Sequence, residues 1–442
     1  MEQTKSMKIS NGVKTITNPQ KVKEDKSSSS PFATARVGDE RSSSSPFATA
    51  RVIEEVLTWG VEEIINKIHL KKRLKSGVKL RVKFGIDPTS PNLHLGHLIP
   101  LKKLRQFQEL GHQVIFLIGD FTAMIGDPSA RLGKRRPLTE KEIKKNMRDY
   151  INQAGKVLDI EKVEVHYNSE WYGRKKADFL MDLASRFTYA RLIERDEFKK
   201  RIEKDIDVTM LELLYPLLQG YDSVELKSDL EIGGTDQKFN LLFARKVQKK
   251  YNFPQQDIMT LSLLIGTDGE RKMSKSYGNY IKITEEPSRM FGQLMSIPDI
   301  LIWHYFKLLT NLPLKEIEPI KDKVYKTLLT PKEAKLRLAG EIVTLLHNAK
   351  SAKKAEREFE RVFKEKKLPT AIPGIKIKEK TLNILDLLVK TKLASSKSEA
   401  KRLILQKGVK FDGVLQENWQ KNVQIKKGMV IQVGKRKFIK IT

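Results

Sequence analysis

Residues 79–118 read KLRVKFGIDPTSPNLHLGHLIPLKKLRQFQELGHQVIFLI, and this stretch decides the fold. Its first eight residues alternate polar with apolar and stop at Asp87-Pro88, the pattern of a strand running into a turn. Over 95–110, Leu98, Leu101, Leu104 and Phe107 recur at helical spacing, and Gly111-His112 closes the helix. Residues 114–118 are the continuous apolar run of a buried strand. Strand, helix and strand within about 35 residues form the crossover unit of a parallel sheet, which places the chain in the α/β class.

Working outward, Val56, Leu57, Val61, Ile64, Ile65 and Ile68 recur at helical spacing and predict a helix, with a second short one over 70–74. Downstream, helices are predicted over 139–158, 175–185, 209–221 and 236–251. Strands are predicted at 163–166, 224–226, 230–232 and 258–265, with a turn at Gly233-Gly234 and a polar loop over 266–280. After residue 284 the pattern is helical at 287–294, 298–308, 331–348 and 352–365, until Pro369 and its neighbours break it. Two short helices (382–393 and 397–407) and alternating segments near 409–411, 430–433 and 437–441 complete the chain. The expected organisation is a tail over 1–52, a parallel-sheet domain over 53–284, a helical domain over 285–368, a linker over 369–375 and a small α+β domain over 376–442.

The chain of 442 residues has 84 Lys and Arg against 54 Asp and Glu, a formal charge of +30, with 39% hydrophobic residues. That composition supports a real core and excludes a wholly disordered chain. No apolar run approaches the roughly 20 residues of a membrane helix, so no membrane association is expected. With no cysteine, disulfides, thiolate metal sites and cysteine nucleophiles are excluded. Residues 376–442 hold 17 basic and five acidic side chains, so net +12 of the +30 sits in about 15% of the length. Positive charge localised in this way fits a polyanionic partner.

SSSSPFATARV occurs twice, at 27–37 and 42–52, within a serine-rich stretch that reads as a tail carrying a tandem duplication. No apolar signal core follows Met1, and five acidic residues interrupt the nine basic ones before Ile53, which argues against a transit peptide. A cytoplasmic location is therefore expected.

Two constellations carry chemistry. In the first, FGIDPT (84–89) is followed by HLGH (94–97). Gly85 and Gly96 let backbone approach a ligand, and His94 and His97, three apart at a helix start, share a face near donors suited to phosphate. Two such histidines also occur in zinc sites, but without cysteine or an HExxH pattern the metal reading is set aside. The second is Lys272-Met273-Ser274-Lys275-Ser276, a loop after an apolar strand whose two lysines can close over a triphosphate.

Together, HLGH and KMSKS resemble the paired motifs of class I aminoacyl-tRNA synthetases. The match to the tyrosyl family extends through Thr122, Ile125-Gly126-Asp127-Pro128, Tyr215, Gln219, Asp222 and Gly233-Gly234-Thr235-Asp236-Gln237. The resemblance implies a Rossmann-like parallel-sheet catalytic domain, a helical anticodon-binding domain and a small basic S4-like RNA-binding domain. It implies ATP binding by Asp87, Thr89, His94, Gly96, His97, Asp236, Lys272, Met273, Ser274, Lys275 and Ser276. Of these, His94, His97, Lys272 and Lys275 would act in catalysis, with Gln237 near the reacting carboxylate. Thr122, Asp127, Tyr215, Gln219, Asp222 and Gln237 would hold L-tyrosine, Asp222 accepting from the phenol. Arg131 and Arg135 match positions near the pyrophosphate. ATP with Mg2+ held mainly through its phosphates, tyrosine tRNA and a homodimeric partner are the implied cofactors and partners.

Helical spacing supports the amino-acid group independently: Tyr215, Gln219 and Asp222 are i, i+4 and i+7, a polar stripe amid leucines. A buried Asp222 left without a hydroxyl partner would explain rejection of phenylalanine. One position departs from the family pattern: where many tyrosyl enzymes carry a second tyrosine, this chain has Lys83. In the C-terminal segment Lys397, Lys401, Arg402, Lys407 and Lys410 are the RNA-binding candidates, with Phe411 and Trp419 either stacking bases or filling the core. The alternatives are a tryptophanyl enzyme, and a non-catalytic RNA-binding or splicing factor on the same fold.

Overall fold

The computed structural model describes residues 49–129, 138–363, 365, 368, 372–434 and 437–442. Its larger sheet comprises β1 (Val61–Ile65), β2 (Arg81–Ile86), β3 (Gln113–Ile118), β4 (Val163–Tyr167), β5 (Leu230–Gly234) and β6 (Asp257–Leu261), in spatial order β1-β6-β5-β2-β3-β4. The predicted crossover unit is present: β2 and β3 pair in parallel from Arg81 opposite Gln113 to Ile86 opposite Ile118, joined through the helix Leu98–Glu109. From β2 the chain winds through β3 and β4 to one side, then through β5 and β6 to the other. The order therefore reverses between β2 and β5, where parallel sheets of this kind open a crevice at their carboxyl ends.

Period-two alternation sorts the side chains onto two cores. Val82, Phe84, Val114, Phe116 and Ile118 join one apolar cluster, which continues into Phe291, Tyr305, Phe306 and Leu338 of the following helices. Ile115 and Leu117 face the opposite way and pack with Leu213, Leu217, Tyr221 and Phe243. On the first face, buried Lys102 and Lys103 of the Leu98–Glu109 helix donate to the carbonyls of Thr310 and Val56, both at 2.6 Å, and both lie over the Trp59 ring. These anchors hold the helix that directly follows the turn bearing His94 and His97.

Three local expectations are corrected. The helical pattern through residue 65 ends early: the helix Ala50–Val56 stops, Gly60 turns at φ +65°, and Val61–Ile65 is an edge strand antiparallel to β6. An edge strand half-buried on both faces carries apolar residues at i, i+3 and i+4, the same spacing as a helix. Residues 224–226 are not a strand; the helix Met210–Glu225 runs through, its start held by the reciprocal Thr209–Glu212 cap. Gly233-Gly234 is not a turn but the end of β5.

The helical segment includes Pro287–Leu294, Ile302–Leu309, Leu314–Tyr325, Pro331–Leu346 and Ala349–Phe363, the third of which carries Pro319 and escaped the sequence reading. The C-terminal segment has a core of its own built on Ile384, Leu387, Ile404, Val409 and Ile431. Around it lie β7 (Gly374–Ile375), β8 (Thr381–Asn383), β9 (Val409–Phe411), β10 (Val414–Leu415), β11 (Asn422–Gln424), β12 (Val430–Val433) and β13 (Lys437–Ile441). They form a five-stranded sheet in the order β10-β9-β12-β13-β7 and a β11-β8 pair, with the helices Ile384–Lys390 and Lys397–Leu405. Of the duplicated segment, only its last four residues, 49–52, lie among those described, and they open the first helix, capped by Thr49.

Candidate active site

A cleft of about 320 Å³ opens at the β2–β5 crevice, and its lining runs from Asp222 at one end to His94, His97 and Lys272 at the other. Strand ends supply most of the groups: Asp87 and Thr89 follow β2, Thr122 and Asp127 follow β3, and Asp236 and Gln237 follow β5. The Met210–Glu225 helix crosses this end of the sheet and contributes Tyr215, Gln219 and Asp222 from one face.

At the inner end Asp222, Thr122 and Tyr215 are buried. Asp222 is 2% exposed and accepts from Trp171 Nε1 at 3.0 Å and from Asn168 Nδ2 at 3.4 Å. Burial pushes its carboxyl up to about 7, with the charge of Lys83 working against that rise. Asp87 accepts from Tyr215 Oη at 3.1 Å and from Thr122 Oγ1 at 2.9 Å, while Gln237 Nε2 donates to Asp127 Oδ2 at 2.6 Å. Gln219 Oε1 is a buried acceptor without a partner. Three carboxylates and this amide oxygen can receive an ammonium group and a hydroxyl along one cleft.

Gly119, at the end of β3, makes the crowding possible. A Cβ there would stand 2.2 Å from Asp87 Oδ1 and 2.4 Å from Thr122 Oγ1. Behind Asp127 the fully buried Arg195 donates to Asn240 Oδ1 at 3.0 Å and lies 3.8 Å from Asp127 Oδ1. Asn240 in turn donates to Gln237 Oε1 at 3.0 Å.

The outer end is built from turns and a loop. His94 and His97 rings lie 3.9 Å apart in the turn Leu95–His97 and its cap. A Cβ on Gly96 would come within 3.0 Å of the His94 ring, so a bare backbone is needed there. Burial pushes His97 down to about 3, helped by the charge of Lys275, and pushes His94 well below its ordinary value. Both are neutral hydrogen-bonding imidazoles at physiological pH. His97 Nδ1 lies 3.1 Å from the His94 backbone nitrogen and 3.3 Å from the His94 carbonyl oxygen, and His94 Nδ1 is buried without a partner.

Lys272 pairs with Asp236 across the cleft mouth. Its loop is pinned by buried Met273, whose N–H donates to Leu264 O at 2.7 Å, and by Asn279, which accepts from Ser274 N at 2.8 Å. Ser274 and Ser276 also line the cleft.

One expected site residue stands apart. Lys275 is not among the lining residues; its ammonium donates to Tyr150 Oη at 3.3 Å. Arg131 and Arg135 lie outside the described residues. Lys83, which stands where many tyrosyl enzymes carry a second tyrosine, is itself buried and ion-paired with Glu231. The reading also missed Asn168, Trp171 and Arg195. The first two follow directly on β4, so the strand-end rule for parallel sheets was a usable signal. Arg195 lies in a connection with no such mark.

In the C-terminal segment Lys397, Lys401, Arg402, Lys407 and Lys410 are all exposed. Phe411 is a core residue and not a base-stacker, since it is 7% exposed within the apolar cluster. Trp419 is half-buried, with Lys401 Nζ 4.0 Å over its ring.

Residues 75–364 match the family described as tRNA synthetases class I (W and Y). Residues 363–441 match the tyrosine--tRNA ligase SYY-like C-terminal domain. The chain is 47% identical over 388 residues to the tyrosine--tRNA ligase of Thermotoga maritima, covering 88% of this chain and 96% of that protein. It is 46% identical over 386 residues to the tyrosine--tRNA ligase of Aquifex aeolicus, covering 87% and 97%. Among solved structures, a C-terminally truncated mitochondrial tyrosyl-tRNA synthetase of Aspergillus nidulans superposes with a TM-score of 0.60 at 23% identity, over 71% of this chain and 94% of that one. The tyrosyl-tRNA synthetase of Archaeoglobus fulgidus complexed with L-tyrosine gives 0.55 at 22%, over 69% and 99%. At those identities the likeness is one of fold.

Proposed function

Because this chain belongs to the class I tRNA synthetase family, in its tyrosine--tRNA ligase branch, we propose a division of labour along the cleft for the family's reaction. That reaction is activation of tyrosine with ATP and charging of tRNA with the product. The observation that carries the proposal is the single cleft with Asp222 at its inner end and the His94–His97 turn and Lys272 at its mouth.

In this reading the tyrosine hydroxyl donates to Asp222, whose remaining positions are filled by Trp171 and Asn168. The ammonium group is held among Asp127, Tyr215 and Gln219, and Gln237 steadies the carboxylate. Asp87 and Thr122 brace this group, and Thr89 and Asp236 flank the nucleotide. The carboxylate attacks the α-phosphorus of ATP, pyrophosphate leaves, and tyrosyl-adenylate forms. The terminal ribose hydroxyl of the tRNA then attacks the mixed anhydride, and AMP leaves. No protein nucleophile takes part, so rate comes from alignment and from donors aimed at the developing phosphoryl charge.

Neutral His97 and His94 serve as such donors, with Gly96 leaving them room. Lys272 and the Met273-Ser274-Lys275-Ser276 loop neutralise the pyrophosphate, Lys275 by leaving Tyr150. Arg131 and Arg135 are assigned to the same leaving group. Among the described residues no cluster of three His, Cys, Asp or Glu could hold a metal ion. Magnesium is assigned to the substrate, held mainly through the phosphates of ATP.

The tRNA is assigned to the basic C-terminal surface through Lys397, Lys401, Arg402, Lys407 and Lys410, with the helical domain over 285–368 taking the anticodon. A homodimer in the cytoplasm completes the reading. Exposed Met124, Met181, Met210 and Leu211 support it, since the helices that bear them pack on one another and leave these side chains outward. No helix among the described residues is long and apolar enough to cross a membrane.

The test is ATP–pyrophosphate exchange across all amino acids, followed by charging of tyrosine tRNA. Exchange with tyrosine alone is expected. Exchange with tryptophan instead, or RNA binding with no exchange at all, would overturn the reading.

A further inference from the structure

Lys83 on β2 and Glu231 on β5 are cross-strand neighbours at the point where strand order reverses. Their side chains are 0% and 2% exposed and form an ion pair of 2.9 Å. All three ammonium hydrogens of Lys83 are committed: to Glu231 Oε1 at 2.9 Å, to Ser223 Oγ at 2.8 Å and to the Gln219 carbonyl at 3.2 Å. Ser223 Oγ passes its own hydrogen to Glu231 Oε2 at 3.1 Å, and Gln256 Nε2 donates to the same oxygen. Lys83 thus has no hydrogen left for a substrate hydroxyl and cannot stand in directly for a tyrosine at its position.

Its reach lies elsewhere. Gln219 and Ser223 bracket one turn of the Met210–Glu225 helix, and Asp222 sits inside that turn. Both Lys83 and Glu231 line the inner end of the cleft. Resting on the assignment of Asp222 to the tyrosine hydroxyl, we propose that the Lys83–Glu231 pair is a positioning device for substrate selection. It clamps the turn that bears Asp222, and its lysine charge keeps Asp222 an anion able to accept the phenolic hydrogen.

The surroundings leave that task to Lys83. The titratable groups facing Asp222 are Lys83 from β2, Tyr172 from the segment after β4 and Tyr215 from its own helix. Glu231 from β5 is engaged by Lys83. Both phenols are held well above their ordinary range, by burial first, and stay neutral. Trp171 and Asn168 are neutral donors. Lys83 is therefore the cation that offsets the burial of Asp222. A purely structural ion pair at this depth would be replaceable by neutral residues of similar volume without functional trace.

The experiment follows from that contrast. The KM for tyrosine in pyrophosphate exchange is measured against pH for the full chain, for Glu231→Gln and for Lys83→Met/Glu231→Gln, with phenylalanine as competitor. In the double variant, the pH at which tyrosine binding weakens should rise by about one unit. Selection against phenylalanine should collapse below that pH and return above it, while the KM for ATP stays in place. Glu231→Gln, which leaves the lysine charge unbalanced, should move the profile the opposite way. A folded double variant whose tyrosine profile superimposes on the parent would overturn the proposal. An Asp222→Asn variant with unchanged tyrosine KM would instead sink the assignment of the cleft's inner end, and this proposal with it.

Discussion

The two ends of the cleft are made of different material. The inner end is assembled on strands and a long helix, every carboxylate is buried or bridged, and Asp222 has two fixed neutral donors. The mouth is assembled on a short turn and the 266–280 loop, where Ser276 and Tyr277 are exposed and Lys275 leans on Tyr150. Discrimination between amino acids needs groups that cannot adjust to the wrong side chain, and regular elements supply that rigidity. Phosphoryl transfer needs cations that follow charge as it moves to the leaving group, and a loop supplies that freedom.

This contrast can be broken by substitution. The largest effect is expected from His97→Ala, which removes a donor aimed at the reacting phosphorus. Its kcat for pyrophosphate exchange should fall by about 10²–10³ with the KM for tyrosine nearly unchanged. A comparable rise in tyrosine KM would mean the two ends are not separable. Next comes Asp222→Ala, which leaves the Trp171 indole N–H unsatisfied and removes the acceptor. The kcat/KM for tyrosine should fall about 100-fold, and far less for phenylalanine, in competition assays.

Gly119→Ala tests the rigidity claim directly. The new methyl collides with Asp87 and Thr122, so the tyrosine KM should rise about tenfold and thermal stability should drop, by differential scanning fluorimetry. A variant with normal tyrosine KM would show that the inner end yields after all.

The smallest effect is a pH dependence that separates the ends without mutation. Asp222, raised to about 7 by burial, gains a proton as pH falls through that value and becomes a poorer acceptor. His97, lowered to about 3, stays neutral throughout. Between pH 8 and pH 6 the tyrosine KM should therefore rise several-fold while His97 adds no dependence to the ATP KM. Parallel changes in both constants would remove the distinction.

The same contrast explains what could be read from the chain. The mouth is carried by two contiguous motifs, HLGH and KMSKS, and most residues of each reach the cleft because they are neighbours in sequence. The polar stripe of Tyr215, Gln219 and Asp222 was legible because it interrupts a leucine-rich helix at a helical period. Partners that come from separate elements were not legible. Nothing near Lys83 in sequence announces Glu231, nearly 150 residues away, because only strand order brings them side by side. Asn168 and Trp171 escaped for the same reason, although the strand before them was recognised. The misread strand at Val61–Ile65 is a different failure, since helical and edge-strand patterns coincide over five residues and only Gly60 marks the break.

Strand β2 bears Lys83 in its body and Asp87 just past its end, four residues apart and so on one side of the pleat. Both halves of substrate capture thus hang on a single frame. Adding one amino acid between them, with the downstream pairing kept, would swing Lys83 to the opposite face of the sheet and spare Asp87. Adding it there with the upstream pairing kept would do the reverse, so the tolerance of this short segment to insertion is a ruler for which end depends on which residue.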